Sequence, residues 1–99
     1  MRTFTKARLR EFWVKNARAE EPLNVWYKLT SKAVWTCFAD VRSTFASADQ
    51  VGDKVIFNIG GNNYRLIVRI NYRHGGVQVK WVGTHAEYNA LRQRDIESL

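Results

Sequence analysis

Residues 54–88 read KVIFNIGGNNYRLIVRINYRHGGVQVKWVGTHAEY, and this stretch decides the fold. Apolar and polar residues alternate in three runs, which is the period of a β-strand with one buried face. The runs predict strands over residues 55–59, 63–72 and 77–83. Glycine pairs at 60–61 and 75–76 separate them and supply the backbone conformations that tight hairpin turns need. The stretch therefore predicts a three-stranded antiparallel meander.

One face of this meander is predicted to be cationic, because no Asp or Glu occurs in residues 54–86. Alternation places four polar residues together on one face of the central strand: Arg65, Arg69, Asn71 and Arg73. Hairpin pairing adds four more polar residues to that face: Lys54, Asn58, Gln78 and Lys80. It also predicts Lys80 opposite Arg69, and Trp81 on the apolar face. Like charges across a ladder are unfavourable, so we favour a surface for an external anion over an ordinary solvated face.

The first half of the chain reads as helical. Residues 5–19 carry an apolar stripe at helical spacing, with Thr5 as the N-cap. Pro22 suits the first turn of a second helix that runs to about residue 39. Its predicted inner stripe is Trp26, Leu29, Ala33 and Cys37, with Trp35 on another face. Residues 1–4 add one short edge strand. The order predicts an α+β fold in a single domain over residues 1–99, with two N-terminal helices packed on a small antiparallel sheet.

The charge balance predicts a polyanionic partner. The chain has 16 Lys and Arg against 9 Asp and Glu, a net charge of +7. Nucleic acid, an anionic membrane and an acidic protein all satisfy this composition. One cysteine, interpreted as a small core residue, excludes an internal disulfide and suits a reducing compartment. The chain shows no leader and no membrane-length apolar run, so we expect a soluble cytoplasmic protein without membrane association.

A short C-terminal helix is predicted to begin at Thr84. Thr84 and Glu87 have the spacing of a capping box, and the helix would run towards Ile96. His85 and Tyr88 then share one side of the first turn, and a helix N-terminus attracts phosphate. The hairpins bring Arg65 close to this turn. We therefore expect four residues to converge on one phosphate, although His85 alone would suit an incidental surface histidine: Arg65, Lys80, His85 and Tyr88.

The segments VIFNIGGNNYRLIVRINY and VQVKWVGTHAEY resemble the HigB family of bacterial toxins, within the RelE/ParE superfamily. The positions that carry the resemblance are Asn58, Gly60, Gly61, Asn62, Arg65, Thr84, His85 and Tyr88. It implies a RelE-like fold and the toxin of a type II toxin–antitoxin module. Relatives enter the A site of the 70S ribosome and cut mRNA through attack of the ribose 2′-OH on the adjacent phosphate, without a metal or other cofactor. A helix-turn-helix, HigA-like antitoxin neutralises the toxin, and operator DNA is bound only through it.

The resemblance also implies residue roles. Arg65 matches a phosphate-contacting arginine, Tyr88 approximately matches a C-terminal tyrosine, and His85 stands where RelE proteins carry an arginine. RelE proteins bring two lysines on the preceding strand, where this chain has Asn58 and Ile56. That departure leaves the general base open. Our hypothesis is that Arg65 and Lys80 stabilise the phosphorane, while His85 transfers a proton with help from Tyr88.

Four further residues are expected to contact RNA: Lys54, Asn58, Arg69 and Arg73. Two alternatives to the nuclease stay open. One is a non-catalytic, ParE-like toxin that inhibits DNA gyrase, and the other is a plain nucleic-acid-binding domain. Cleaved message after induction would distinguish the nuclease from the first. An adjacent gene for a helix-turn-helix protein would argue against the second.

Overall fold

The computed structural model describes all 99 residues and has an α+β architecture, as the sequence predicts. The strands are β1 (Arg2–Phe4), β2 (Asp49–Val51), β3 (Lys54–Ile59), β4 (Tyr64–Asn71) and β5 (Gly76–Thr84). The helices are α1 (Lys6–Lys15), α2 (Glu20–Lys32), α3 (Phe38–Thr44), α4 (His85–Asn89) and α5 (Gln93–Glu97), with a 3₁₀ turn over Ala17–Ala19.

The five strands form one mixed sheet in the order β1-β5-β4-β3-β2. The predicted meander and the short first strand are both confirmed. The first strand pairs in parallel with β5, while every other pair is antiparallel. Two elements before the meander were not predicted: residues 38–44 form a helix and residues 49–51 an additional edge strand.

The β3–β4 hairpin keeps the predicted division of its two faces. A two-residue turn at Gly60 and Gly61 would pair Phe57 with Tyr64, but the turn holds four residues and Phe57 pairs with Leu66. Gly60 and Gly61 in this turn both have positive φ, at 62° and 69°. A slip of two residues preserves the side-chain parity. Arg65 and Arg69 therefore share one side of β4, which we call the arginine face.

A β-bulge in β5 overturns the predicted pairing of the next hairpin. The register shifts between Ile67 and Val68, so Trp81 pairs with Ile67 and lies on the arginine face, not on the apolar face. Gln78, not Lys80, pairs with Arg69. The Thr5 hydroxyl donates to the Val79 carbonyl and accepts from the Val79 amide, which occupies backbone groups beside the bulge. One extra residue in a strand moves every later side chain to the opposite face of the sheet. Alternation in the sequence does not show where such a residue lies.

The helix α1 begins after Thr5, as predicted, but the Thr5 side chain does not cap it. Thr5 has a φ of 63°, a left-handed conformation that turns the chain from β1 into the helix. Its hydroxyl is used on β5 instead. The residue that the sequence marks as a helix cap therefore joins strand and helix.

The predicted second helix is too long. It ends at Lys32, and Ala33 is already extended with a ψ of 153°. Trp35 lies in the core, where its ring contacts the rings of Phe45 and Phe57. The indole Nε1 donates to Thr44 Oγ1 at 3.0 Å. Burying this large ring stabilises an extended segment over continued helix.

Two members of the predicted inner stripe of that helix are exposed. Leu29 is 45% exposed. Cys37 is also exposed, so its interpretation as a core residue is wrong. It lies at the position just before α3. Cys37 lies beyond the end of α2 and therefore does not share a helix face with the buried Trp26, whereas Leu29 lies within α2 but outside its buried stripe of Leu23, Trp26 and Thr30.

The main core lies between the helices and the apolar face of the sheet. Its buried members include Leu9, Leu23, Trp26, Trp35, Phe57, Leu66, Val68, Val77 and Val79. A second, smaller core lies on the arginine face, where Ile96 packs on Ile56 and Ile67. The chain after Thr84 thus forms two short helices rather than one, and it covers the middle of a face that the alternation predicted to be open.

None of the helices is both long enough and apolar enough to cross a lipid bilayer.

Candidate functional site

The Arg65 side chain lies at one end of the arginine face. It pairs across the sheet with Asn58 on β3 and Gly83 on β5. Its Nη1 donates to the carbonyls of Asn62 and Tyr64 at 3.2 and 3.1 Å, and its Nη2 donates to Asn62 Oδ1 at 2.7 Å. The residue is 8% exposed. The β3–β4 turn therefore holds the guanidinium in one place.

No carboxylate neutralises the Arg65 charge, because no Asp or Glu oxygen lies within 4.0 Å of it. A guanidinium has five N–H groups, and the three bonds to Asn62 and Tyr64 leave two of them, on Nη2 and Nε, without an acceptor in the chain. Burying a cation without a counterion costs free energy, and binding of an anion offsets that cost. The geometry suits bidentate binding of a phosphate.

Tyr88 lies against Arg65, and Trp81 lies beside Tyr88. The guanidinium carbon lies 5.7 Å from the centre of the Tyr88 ring, within cation–π range. The Trp81 ring lies 6.3 Å from the Tyr88 ring. Gly83 makes room for this arrangement, since a β-carbon there would lie 2.4 Å from Trp81 Cη2. Tyr88 and Arg65 are thus brought together, as the sequence analysis expected.

The capping box at the start of α4 is confirmed. The Glu87 amide donates to Thr84 Oγ1 at 3.1 Å, and the Thr84 amide donates to Glu87 Oε1 at 2.8 Å. The His85 amide donates to the Asn63 carbonyl at 2.9 Å. These amides are therefore occupied within the chain, so a phosphate here must be held chiefly by side chains. The expected contribution of the helix N-terminus is small.

His85 follows Thr84, which pairs with Tyr64 immediately before Arg65. The same turn, residues 60–63, binds the His85 backbone through Asn63 and the Arg65 guanidinium through Asn62. The imidazole Nδ1 lies 3.0 Å from Asn89 Nδ2. When Nδ1 accepts from this amide, the neutral ring carries its proton on Nε2. The ring is partly exposed and is available for proton transfer.

Lys54 does not have the exposed, unpaired ammonium that the cationic-face prediction assumed. The residue is 2% exposed. Its Nζ donates to Asp53 Oδ1 at 2.8 Å and to the Glu97 carbonyl at 2.9 Å. Asp53 stands one residue before the acid-free stretch, and its other oxygen lies 3.3 Å from Arg69 Nε. Lys54 therefore joins β3 to the C-terminal segment, and its geometry does not support RNA contact.

The other predicted site residues are divided between the two ends of the sheet. Asn58 is exposed and directly across from Arg65, so it belongs to the same site. Lys80 lies in the bulge, about 10 Å along β5 from Gly83. Its carbonyl accepts from Arg8 at 3.2 Å. Arg69 and Arg73 are exposed and lie towards the far end of β4. Of the four proposed catalytic residues, the structure places Arg65 against Tyr88, ties the His85 backbone to the same turn and leaves Lys80 apart.

Three residues of the site were not assigned a role from the sequence: Asn62, Trp81 and Asn89. Asn62 holds the guanidinium, and its place three residues before Arg65 in a glycine turn is a signal that could have found it. Asn89 stands four residues after His85, the spacing that joins side chains on a helix. Trp81 was missed because the bulge changes its face.

The structure contains no group of three or more His, Cys, Asp or Glu side chains arranged to hold a metal ion.

Comparison with known proteins identifies the family. A family model described as HigB toxin, RelE-like toxic component of a toxin–antitoxin system, matches residues 19–91. No curated protein matches the chain. The matched range covers most of the chain and contains the β3–β4 turn, Arg65, His85 and Tyr88. The chain therefore belongs to the HigB toxin family, whose members are RelE-like toxins of toxin–antitoxin systems.

Proposed function

We propose that this toxin is a ribosome-dependent endoribonuclease that cuts mRNA and inhibits translation. The observation that carries the proposal is Arg65, a largely buried guanidinium with two free N–H groups and no carboxylate partner. Tyr88 lies against it, and the partly exposed His85 is held by its backbone on the same β3–β4 turn. A phosphate placed on Arg65 would meet groups suited to charge stabilisation and to proton transfer.

The reaction is an internal transfer at one phosphodiester. The ribose O2′ bonds to phosphorus and the P–O5′ bond breaks, which yields a 2′,3′-cyclic phosphate and a 5′-OH. A proton leaves O2′ and another is added to O5′. Arg65 stabilises the charge on the phosphoryl oxygens, and His85 carries one of the two proton transfers. Tyr88 packs against Arg65 and borders the reacting phosphate.

The chain supplies no free carboxylate for the second proton transfer beside Arg65. Glu87, two residues after His85, is held in the capping box by the Thr84 amide. Lys80 lies too far along β5 to replace it without movement of the strand. We therefore assign phosphorane stabilisation chiefly to Arg65, and we infer that the message and the ribosomal A site complete the reacting geometry.

The family implies an antitoxin as partner. We propose that this antitoxin is a HigA-like, helix-turn-helix protein and that operator DNA is contacted only through it. The toxin acts in the cytoplasm on messages bound to the 70S ribosome. Its strongly basic composition, with a net charge of +7, favours a polyanionic partner such as RNA over an uncharged partner.

The proposal is tested by inducing the toxin in cells and mapping message ends by primer extension. We expect cleavage within codons for the wild type and for two controls, Arg18→Ala and His74→Ala, which remove exposed residues away from the site. Arg65→Ala and His85→Ala should abolish cleavage and growth arrest while still binding antitoxin. Removal of an acid–base group typically costs about 10²–10⁴ in rate.

A different result would identify the runner-up function. A ParE-like inhibitor of DNA gyrase would leave messages intact and produce DNA damage and loss of negative supercoiling. Growth arrest with intact message, or full toxicity of Arg65→Ala or His85→Ala, would contradict the nuclease proposal.

A further inference from the structure

An open groove lies at the opposite end of the sheet from Arg65 and has a volume of about 810 Å³. Its lining comes from β1, β4, β5 and the β4–β5 turn, and consists of Phe4, Arg69, Ile70, Asn71, Tyr72, Arg73, Gly76 and Gln78. Cross-strand pairing puts Phe4, Gln78 and Arg69 in one row. At about 3.3 Å per residue, Arg69 stands about 13 Å from Arg65 along β4. The C-terminal core covers the sheet between them.

The groove is positively charged. Arg69 and Arg73 line it, and both are exposed. Arg2 stands beside it, with its guanidinium carbon 5.4 Å from the centre of the Phe4 ring. Asp53 contacts Arg69 Nε at 3.3 Å, whereas Arg2 and Arg73 have no carboxylate within 4.0 Å. The groove thus keeps an excess of positive charge available to an anionic ligand.

The groove also offers an exposed aromatic ring and free amide groups. Phe4 is 47% exposed. Its ring lies over Gly76, where a β-carbon would come within 3.0 Å of Phe4 Cε2. Gln78 is exposed, and its side-chain amide has no hydrogen-bond partner within the chain, although its backbone pairs with both neighbouring strands. An open aromatic surface beside guanidinium groups is the combination that binds unpaired nucleotides, because every base has a face to stack and every nucleotide a phosphate.

We propose that this groove binds one unpaired RNA nucleotide, with the base against Phe4 and the phosphate between Arg69 and Arg73, as a contact separate from the cleavage site. The inference rests on the proposed function and adds a second point of attachment to it. A paired base cannot reach the ring, so the groove selects single-stranded over duplex RNA. The nucleotide belongs either to the message beside the cut or to exposed ribosomal RNA.

The test measures binding apart from cleavage, in a His85→Ala background that leaves the RNA intact. Fluorescence anisotropy follows a labelled single-stranded oligonucleotide, a duplex of equal length, and ribosomes. We expect Phe4→Ala to weaken single-strand or ribosome binding at least about fivefold while leaving duplex binding unchanged. Arg73→Ala should lower the salt slope of single-strand binding by about 0.7. An effect on the oligonucleotide assigns the nucleotide to the message, and one on ribosomes alone assigns it to ribosomal RNA.

Two control variants accompany these measurements. Phe4→Trp keeps an aromatic surface and should retain binding, which separates stacking from a folding defect. Arg18→Ala removes an exposed arginine outside the groove and measures how much RNA binding falls when one positive charge is lost. The inference is overturned if Phe4→Ala and Arg73→Ala bind both oligonucleotide and ribosomes as tightly as Arg18→Ala. It is equally overturned if Phe4→Ala weakens the binding of polyglutamate but not of the oligonucleotide or ribosomes, since that identifies a site for an acidic protein.

If the groove variants weaken binding but the wild type cuts no message, nucleotide binding by the groove is supported and the proposed nuclease activity is contradicted. If the wild type cuts message and the groove variants bind RNA normally, the nuclease activity is supported and nucleotide binding by the groove is contradicted.

Discussion

At the scale of single residues, the site depends on the difference between two buried cations. Lys54 and Arg65 lie on the same face of adjacent strands, and both are nearly inaccessible. Lys54 is neutralised by Asp53, whereas Arg65 is surrounded by carbonyls, an amide oxygen and an aromatic ring. Alternation along the strands predicts the face of each. It cannot predict which cation is paired, because that depends on a loop residue and on where the C-terminal segment lies.

Asn62→Asp tests whether the Arg65 charge is reserved for a ligand. The change places a carboxylate 2.7 Å from Nη2 with almost no change in shape. We expect it to neutralise the guanidinium, to raise the melting temperature by up to about 4–8 °C if the pair contributes about 1 kcal/mol, and to lower message cleavage at least about tenfold. Thermal unfolding and the cleavage rate, measured on one preparation, test the expected rise in melting temperature and the expected fall in cleavage. Unchanged cleavage in this variant would show that the free charge of Arg65 is not used.

At the scale of elements, the C-terminal segment determines which part of the arginine face stays open. The three strands of the meander, the parity of the first hairpin and the capping box follow from local patterns and were predictable. The bulge in β5 and the early end of α2 were not, because each is determined by packing of one large ring, Trp81 or Trp35, against residues distant in the chain. The bulge matters for the site, since it places Trp81 beside Tyr88.

Gly83→Ala tests the packing that joins β5 to α4. The added methyl would lie 2.4 Å from Trp81 Cη2, so the indole must move, at an expected cost of about 1–3 kcal/mol. Urea unfolding of the single and double variants measures the coupling. In a Trp81→Leu background the same change should cost much less, since the obstructing ring is gone. An equal loss of unfolding free energy in the two backgrounds would show that contact with the Trp81 ring does not explain why residue 83 is glycine.

Asp53→Asn tests the ionic link between β3, β4 and the C-terminal segment. The hydrogen bond from the Lys54 ammonium, chiefly, holds the pKa of the Asp53 carboxyl below its ordinary value of 3.8. A lowered folded-state pKa gives stability that is fully present above 3.8 and is lost as the pH falls through the lowered pKa. Wild type should therefore be more stable than Asp53→Asn at pH 7, and the difference should shrink under acid. Chemical unfolding across pH measures it, and a difference that stays constant would contradict this link.

At the scale of the whole molecule, the arginine face has three parts: the Arg65 site, a covered apolar middle and the basic groove beyond Arg69. The α+β class and the succession of helices followed by a meander were predictable because periodicity changes sharply near residue 50. The division of the face was not, because it depends on where α5 packs. Resemblance to the family identified Arg65, His85 and Tyr88, and the fold brings these residues to one end of the sheet.

The most direct measurement of the central claim is the single-turnover rate at which purified toxin cuts a message bound to ribosomes. Arg65→Ala and Arg69→Ala remove the same side chain from the same strand face, but only the first lies in the proposed cleavage site. At saturating toxin, we expect Arg65→Ala to be slower by about 10²–10³, while Arg69→Ala stays within about threefold of wild type. A folded Arg65→Ala variant that cuts at the wild-type rate would contradict the account.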